Sequence, residues 1–272
     1  MPPARIGLWV ASIGAVAVLA RSVLVGPIPV GLAVVLMVAY LALIGVGFGW
    51  PRLEMFADVV WQGAPGQRLI ALTFDDGPDP DTTRAILGVL ARDGHRATFF
   101  LVGSKVDQHP DVVREIVSAG HTVGIHGYTH SWGYAWKPPS AVVRDIRRAQ
   151  DAVHAACGLR PRLFRPPIGL VSPRTAKGAQ RAGSPIVLWS VKGGDGVRVR
   201  PQTVLRRIGA GIRDGAIVLL HDASETGERT PASVEALPDI LRSIDARGLE
   251  TVGVEAFVEG PAQLEEDPAS SP

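Results

Sequence analysis

Two adjacent carboxylates, Asp75 and Asp76, lie in the segment TFDDGPDP at residues 73–80, directly after an apolar run typical of a buried strand. If that strand belongs to a parallel sheet, both side chains reach its carboxyl edge, where they can share a cavity. The same segment also suits a structural role, because Asp-Gly-Pro forms turns readily and Asp79 can cap the next helix. Taken alone, it leaves both interpretations open.

Two histidines, His126 and His130, stand four residues apart in the segment HGYTH. In a helical turn or a tight loop this spacing can direct both imidazoles to one ion, and a carboxylate would complete a set of three ligands. The spacing alone does not specify a metal. For four of the 7 histidines of the chain we expect ordinary surface or helix-start positions, namely His95, His109, His121 and His154.

Three later segments also place chemically capable residues after apolar runs. Arg165 in FRPPIG can pair with a carboxylate, Asp195 lies in LWSVKGGDG, and His221 ends the run IVLLH. Each has a simpler interpretation, such as a surface arginine before a proline turn or a polar strand terminus. Five separate strand ends that all carry such residues nevertheless favour one shared site.

The elements that must position these residues alternate between strand-like apolar runs and helix-like stretches. Several of the helices begin near proline and close at glycine. Strands are predicted at residues 69–74, 97–102, 122–126, 162–164, 186–190, 216–220 and 250–252. Helices are predicted at residues 81–92, 110–118, 140–156, 173–182, 201–213 and 232–247. This βα alternation predicts a mainly parallel sheet wrapped by helices, either a barrel or an open doubly wound sheet.

The first 50 residues differ in kind from the rest of the chain. Residues 30–49 carry no charge and are long enough, at about 1.5 Å per residue, to cross the hydrocarbon core of a bilayer. Residues 6–20 are also uncharged but reach spanning length only past Arg21, which can extend to the interface. We expect a membrane anchor over residues 1–50, formed by a helical hairpin broken at residues 26–29. A cleaved signal peptide ending near Ala20 and a buried soluble hairpin are the alternatives.

The segments next to this anchor bear on localisation. Arg21 in the connector favours a catalytic domain outside the cytoplasm, whereas Arg5 favours the opposite orientation. Residues 51–67 read as an interfacial linker, with Trp50 and Trp61 suited to the headgroup region. We expect a disordered tail over residues 259–272, which are polar and contain proline.

Composition excludes several other classes of site. A net charge of +2 without a concentrated basic tract argues against nucleic-acid binding. The one cysteine, Cys157, excludes an intrachain disulfide framework and a cysteine-pair metal site. Any bound metal must therefore be held by histidine and carboxylate.

In this order, TFDDGP, HGYTH, RPPIG, WSVKGGD and LLH resemble the five motifs of the polysaccharide deacetylases, the NodB homology domain of carbohydrate esterase family four. The resemblance covers residues 68–258. It implies an α/β fold with a distorted (β/α)7-type barrel, here preceded by the transmembrane helical hairpin. It also implies metal-dependent removal of acetyl groups from N-acetylated sugars.

Carried over to this sequence, the resemblance implies that Asp76, His126 and His130 hold a divalent metal, with zinc expected and cobalt, nickel or manganese as alternatives. Asp75 is then the general base. One carboxylate of the pair is committed to the cation while its neighbour stays free to accept a proton from water.

The same resemblance implies roles around this pair. Arg165 would orient the base and keep it ionised, because a nearby cation lowers a carboxylate pKa. His221 would protonate the departing amine, with Asp195 as its partner. Trp189 and Leu219 fit the apolar wall around the acetyl methyl group, although plain core packing explains them equally well.

The sequence departs from the family pattern at four positions. Gly127 replaces a serine or threonine in HGYTH, Ile168 replaces an aromatic residue in RPPIG, Lys192 replaces an acid, and Gly196 replaces an aromatic residue. If the missing acid were the important partner of the histidine, Lys192 would lower its pKa and weaken the acid step. The metal site is thus expected to be better preserved than the substrate groove.

The resulting prediction is a membrane-anchored, metal-dependent carbohydrate N-deacetylase that acts outside the cytoplasm. Its expected substrate is an N-acetylated polysaccharide, with peptidoglycan or another N-acetylglucosamine polymer first. One alternative is deacylation of a membrane-lipid-linked amino sugar. The other is a catalytically impaired domain that still binds metal or glycan, for which Lys192 is the main support.

Overall fold

The structure is a computed structural model that describes residues 1–224, 229–258 and 265–266. The tail predicted at residues 259–272 lies outside the described residues, except for Glu265–Glu266, which form a short strand.

Two long apolar helices open the chain, α1 (Pro3–Leu24) and α2 (Val30–Gly49). They are joined near Gly26 and linked by a hydrogen bond of 2.9 Å between Ser12 Oγ and the Tyr40 hydroxyl. Both are long and apolar enough to cross a membrane, with mean hydropathies of 1.8 and 2.5, and almost none of their residues are buried. A signal sequence would meet the same criteria, so the predicted hairpin is present and its membrane insertion stays a prediction.

The rest of the chain alternates short strands with helices, as the sequence predicted. The strands are β1 (Val59–Val60), β2 (Leu69–Asp75), β3 (Thr98–Leu101), β4 (Thr122–Ile125), β5 (Leu159–Arg160), β6 (Ile186–Val187), β7 (Val191–Lys192), β8 (Ile217–His221), β9 (Glu250–Val252) and β10 (Glu265–Glu266). The helices are α3 (Thr82–Asp93), α4 (Gly103–Gln108), α5 (Pro110–Ser118), α6 (Pro139–Cys157), α7 (Pro173–Ala182), α8 (Pro201–Gly209) and α9 (Ala232–Asp245). Helix α4 was not predicted, and α8 ends four residues before the predicted end at residue 213.

Six strands form the main parallel sheet, in the order β4-β3-β2-β8-β7, with β9 also paired to β2. Strand β8 runs along one edge of β2, while β3 and β9 share the other edge. Single bridges from Ile125 to Phe164 and from Phe164 to Ile186 continue the sheet from β4 round to β6. The arrangement is the α/β fold with a parallel sheet that the sequence predicted. The barrel that the resemblance implied is not closed by continuous ladders, because only these single bridges join β4 to β6 in the described part of the chain.

Regular strand pairing is interrupted at Phe164, where the strand predicted at residues 162–164 is reduced to isolated bridges. The reason is local, because Pro161, Pro166 and Pro167 flank this segment and cannot donate hydrogen bonds to a neighbouring strand. The strand predicted at residues 186–190 is likewise split. The N–H of Leu188 donates to Val60 O, whereas that of Ser190 donates to Ile217 O, so the chain changes partner midway.

Strand β2 is the central element that positions the site. Its residues are buried after the first one, as expected for a parallel strand covered on both faces. Phe74 stacks on Phe99 with ring centroids 5.2 Å apart. Polar Thr73 donates a hydrogen bond of 2.7 Å to Val218 O on β8. The apolar packing of β2 therefore fixes where its last residue, Asp75, enters the carboxyl edge of the sheet.

Two histidines that we expected at ordinary surface or helix-start positions are buried instead. His95 precedes β3 and its Nδ1 lies 3.1 Å from Thr251 Oγ1 on β9. His121 directly precedes β4 and packs its ring against Phe99 at a centroid distance of 5.5 Å. Burial lowers the pKa of His121 to about 4, so this ring is a neutral packing residue.

Candidate active site

Two strand ends bring the three predicted metal ligands together. Asp76 follows β2, and His126 and His130 follow β4. The Nε2 atoms of His126 and His130 lie 3.6 Å and 3.3 Å from Asp76 Oδ1. One ligand atom from each residue lies within 4.8 Å of the other two, which is compatible with a shared ion.

The chemistry of this cluster also fits a cation. Asp76 Oδ1 is buried and accepts no hydrogen bond from the described residues, a costly arrangement unless an ion compensates it. His126 Nδ1 lies 2.8 Å from Arg165 O, so this nitrogen donates and Nε2 keeps its lone pair. Burial lowers the pKa of His126 to about 3, which keeps the ring neutral and able to bind a metal.

The backbone is strained at two of these ligands. Asp76 has φ +77° and His130 has φ +47°, values that non-glycine residues rarely adopt. Next to Asp76, Gly77 packs so closely on Asp222 that an added Cβ would lie 2.0 Å from its Oδ2 atom. Only glycine fits this position, which explains one letter of the TFDDGP motif. The unusual φ of Asp76 and the close packing of Gly77 together restrict the backbone from which the Asp76 carboxylate extends.

Asp75 and Arg165 form a buried ion pair beside the cluster. Arg165 Nη1 lies 2.7 Å from Asp75 Oδ1, and both side chains are almost completely buried. The guanidinium also donates to Thr73 Oγ1 at 2.8 Å, Leu188 O at 2.9 Å and Val187 O at 3.2 Å. Asp75 Oδ2 is the oxygen nearer the cluster, 3.8 Å from His126 Nε2. Arg165 thus binds Oδ1 of Asp75, while Oδ2 faces the proposed metal ligands.

The pKa of Asp75 is set by opposing effects. Burial raises the pKa of Asp75, and the charge and hydrogen bond of Arg165 act against that rise. As we expected, Arg165 acts to lower the pKa of Asp75. Burial has the larger effect, because it removes the carboxylate from water, and the pKa is raised overall.

His221 and Asp195 form a second pair. The backbone N–H of His221 donates to Asp195 Oδ2 at 2.8 Å, and His221 Nδ1 lies 3.0 Å from Asp195 Oδ1. Burial alone would lower the pKa of His221, but the hydrogen bond and charge of Asp195, helped by Asp75 and Asp76, raise it to about 9. A lowering of this pKa by Lys192 was expected only if the missing acid were the partner of His221. The partner is Asp195, and the Lys192 side chain is exposed at the end of β7.

The two predicted apolar wall residues lie near the buried pair. Leu219 is buried on β8, and its register opposite Thr73 places it on the same face of the sheet as Asp75 and His221. Trp189 is partly buried, with its ring against Gly169 and 5.7 Å from the Arg165 guanidinium. Their contact with substrate stays a prediction.

The departures from the family pattern have distinct structural consequences. The loop at Gly127 is supported from α6, where Asp145 Oδ2 accepts the Tyr128 N–H at 2.8 Å. At Gly196 an added Cβ would lie 2.9 Å from His221 Cε1, so the glycine backbone packs against this edge of the ring and a side chain here would displace it. Ile168 has φ +56° and is 44% exposed on the rim.

Sequence reasoning missed two groups that hold the loops in place. Lys105 Nζ donates to Asp76 O at 2.8 Å and to Ser224 O at 2.9 Å, which ties the loop after β2 to the loop after β8. Asp222 is buried and accepts a hydrogen bond of 2.6 Å from Thr83 Oγ1, and burial raises its pKa to about 7. Asp222 directly follows His221, which was its only signal in the sequence. Lys105 lies in the unpredicted helix α4, and nothing in the sequence indicated its role.

The chain matches the family model described as polysaccharide deacetylase over residues 62–187. It is 36% identical over 192 residues to the peptidoglycan-N-acetylglucosamine deacetylase PgdA of Listeria monocytogenes, an alignment that covers 71% of this chain and 39% of that protein. It is 34% identical over 194 residues to the chitooligosaccharide deacetylase of a Bradyrhizobium species, covering 68% of this chain and 88% of that protein. The chain therefore spans about two fifths of the length of the Listeria relative, at 39%.

Solved structures agree with the family match. A crystallised peptidoglycan N-acetylglucosamine deacetylase aligns with a TM-score of 0.71 at 27% identity, covering 79% of this chain and 98% of that one. A family pseudoenzyme from Bacillus anthracis aligns with a TM-score of 0.67 at 26% identity, covering 75% of this chain and 70% of that one. In sequence and in fold, this chain belongs to the polysaccharide deacetylase family.

Proposed function

We propose that residues 68–258 catalyse metal-dependent hydrolysis of the N-acetyl group of N-acetylglucosamine-type residues in a cell-envelope polysaccharide such as peptidoglycan. The observation that carries this proposal is the cluster of Asp76, His126 and His130 beside the Asp75–Arg165 ion pair. The names of the Listeria relative and of the crystallised deacetylase, both peptidoglycan deacetylases, support the substrate class.

In this proposal Asp76, His126 and His130 hold the metal, and zinc is the ion that this donor set suits best, with cobalt, nickel or manganese as alternatives. A divalent cation at this place supplies Lewis-acid activation of water and of the acetyl carbonyl. The buried, unpartnered Asp76 Oδ1 is the atom that most requires such an ion.

Asp75 serves as the general base. Its Oδ1 is held by Arg165, so Oδ2 accepts the proton of the water whose oxygen attacks the acetyl carbon. The buried Arg165 positions this carboxylate through its four hydrogen bonds to Asp75, Thr73, Val187 and Leu188.

His221 serves as the general acid. With its pKa raised to about 9, the ring carries a proton at neutral pH. That proton passes to the amide nitrogen as the C–N bond breaks, which leaves a free amine and acetate. Asp195 keeps the imidazole oriented and stabilises its charged form.

We further propose that residues 1–50 anchor the enzyme in a membrane, with residues 51–67 as linker and the catalytic domain outside the cytoplasm. Two apolar helices of spanning length support the anchor. Reporter fusions to the carboxyl terminus that are active on only one side of the membrane would test the orientation.

The function is tested by acetate release from peptidoglycan and from N-acetylglucosamine oligomers, measured on the full chain loaded with zinc. Metal content is measured on the same samples. We expect turnover in the wild type and loss of bound metal in Asp76→Ala. A protein that binds zinc and glycan but releases no acetate from either substrate would be an impaired binding domain, and the catalytic proposal would fail.

A further inference from the structure

The loop at residues 131–137, here called the aromatic loop, directly follows the proposed metal ligand His130. Its sequence is SWGYAWK. Trp132 and Trp136 are 68% and 67% exposed, whereas Tyr134 between them is buried. Neighbouring exposed aromatic residues commonly mark an interaction surface.

The aromatic loop is held firmly with its tryptophans outward. Ser172 Oγ donates to Ala135 O at 2.7 Å, and Arg174 Nη1 donates to Trp136 O at 2.9 Å. Residues Tyr134–Trp136 form a short 3-10 helix. These bonds hold the loop backbone at Ala135 and Trp136, and both indoles lie exposed on the loop.

The same loop contacts the end of the apolar hairpin. The ring of Phe48, next to the last residue of α2, lies 6.1 Å from the Trp136 ring and 5.2 Å from the Phe56 ring. At the start of α1, Arg5 pairs with Asp58 at 2.8 Å. The aromatic loop is thus continuous with the ends of α1 and α2 that face the domain. If these helices span a bilayer, those ends lie at headgroup depth.

Charge and shape on this side suit phospholipid. A cavity of about 620 Å³ lies between α1, the linker and α7, with apolar Leu8, Trp9 and Phe56 next to basic Arg5 and Lys177 in its lining. Basic side chains attract anionic headgroups, while tryptophan combines an apolar ring with a polar N–H and accumulates at the membrane interface. The segments around the cavity and the loop contain the basic residues Arg5, Arg52, Lys137, Arg174 and Lys177. Arg5 is paired with Asp58, which also lines the cavity, and Lys137 with Asp145, so Arg52, Arg174 and Lys177 supply the unbalanced positive charge.

We propose that the aromatic loop inserts Trp132 and Trp136 into the headgroup layer of the bilayer that holds α1 and α2. The loop that carries His130 is then held at the membrane surface, and among N-acetylglucosamine-type substrates the preferred one is a glycan that a lipid holds at that surface. This substrate class rests on the proposed deacetylase function, whereas the docking surface rests only on the hairpin and the loop.

Docking is tested with one fluorescent label on the full chain in nanodiscs of phosphatidylcholine and phosphatidylglycerol. Gly133→Cys, in a Cys157→Ser background, places the label between the two indoles. Gly133 has φ −81°, and an added Cβ would meet only Ser131 Oγ at 3.8 Å, so the change is tolerated. Ala91→Cys on α3, exposed and away from the hairpin, is the matched control.

We expect lipids with a shallow nitroxide to quench the label at position 133 strongly and the label at position 91 hardly at all. Equal quenching at the two positions would overturn the docking surface. Failure of the chain to enter nanodiscs would overturn it as well. Neither outcome depends on catalytic activity.

The substrate class is tested by comparing an N-acetylglucosamine lipid held in the nanodisc with soluble N-acetylglucosamine oligomers. Replacing both tryptophans, Trp132→Ala and Trp136→Ala, should reduce turnover of the lipid substrate roughly tenfold through loss of positioning. Turnover of the soluble oligomer should stay within about twofold. Equal losses on both substrates would overturn the role of the loop, and absence of turnover in the wild type would instead refute the deacetylase function.

Discussion

The floor and the rim of the site are built differently. The floor consists of Asp75, Asp76, His126 and Arg165, which are buried and fixed by short hydrogen bonds, by close packing or by their place at a strand end. The rim contains Lys192, Gly196 and Ile168, where the side chain is exposed or absent. The chemistry is therefore specified by rigid, dry geometry. In the proposed function, recognition of the sugar falls to the open surface, where this chain departs most from its family pattern.

The largest effect is expected from Asp75→Asn in the floor. This change removes the proton acceptor but keeps the shape, so turnover should fall by about 10²–10⁴-fold. Bound zinc should stay the same, because Asp76 and both histidines are intact. Acetate release and metal content measured on one sample check both statements. Near-normal turnover would remove Asp75 from the mechanism.

A second large effect is expected from Arg165→Met, which leaves the Asp75 carboxylate buried without its partner. The free energy of unfolding should fall by about 3–5 kcal/mol. Arg160→Met is the matched control, because its pair with Asp151 is exposed and should contribute less than about 1 kcal/mol. Denaturant unfolding of the full chain in detergent measures both. Similar losses in the two variants would show that burial of the Asp75 pair has no special effect.

A pH effect is expected from Asp195→Asn. His221 acts as an acid only when protonated, so wild-type turnover should decline as the pH rises through the pKa of about 9. Without the charge of Asp195 the pKa of His221 falls, and the alkaline limb of the profile should move to lower pH. Profiles of kcat against pH for both proteins measure this shift. An unmoved alkaline limb would assign that limb to another group.

The smallest effect is expected on the rim, from Lys192→Asp. The side chain is exposed and Asp195 already occupies the partner position of His221, so kcat should change by less than about twofold. Steady-state kinetics on oligomers provide the measurement. A large gain in kcat would show that the rim limits the chemistry as well as recognition, and the contrast with the floor would be lost.

The sequence predicted the site best where its residues follow strands directly. Asp76, His126, His130, Arg165 and His221 could be placed because parallel strands end at one edge of a sheet, so that motifs far apart in the chain converge. The two apolar helices were visible from hydropathy and length alone.

The remaining features depend on long-range contacts that no local pattern encodes. Lys105 reaches Asp76 from an unpredicted helix, and Asp145 supports the Gly127 loop from α6. The strand predicted at residues 162–164 is reduced to single bridges at Phe164 because prolines flank it. The apolar pattern indicates burial and does not show where hydrogen-bond donors are missing. His121 looked like a surface residue because burial of a single polar side chain leaves no periodic signal.

The close packing of Gly77 on the Asp222 carboxylate means that these two positions cannot vary independently. A methyl group at the turn has room only if the acid across from it becomes smaller in the same protein. Gly77 in the loop after β2 and Asp222 directly after β8 are therefore expected to change together. A substitution designed at one of these positions requires a compensating substitution at the other.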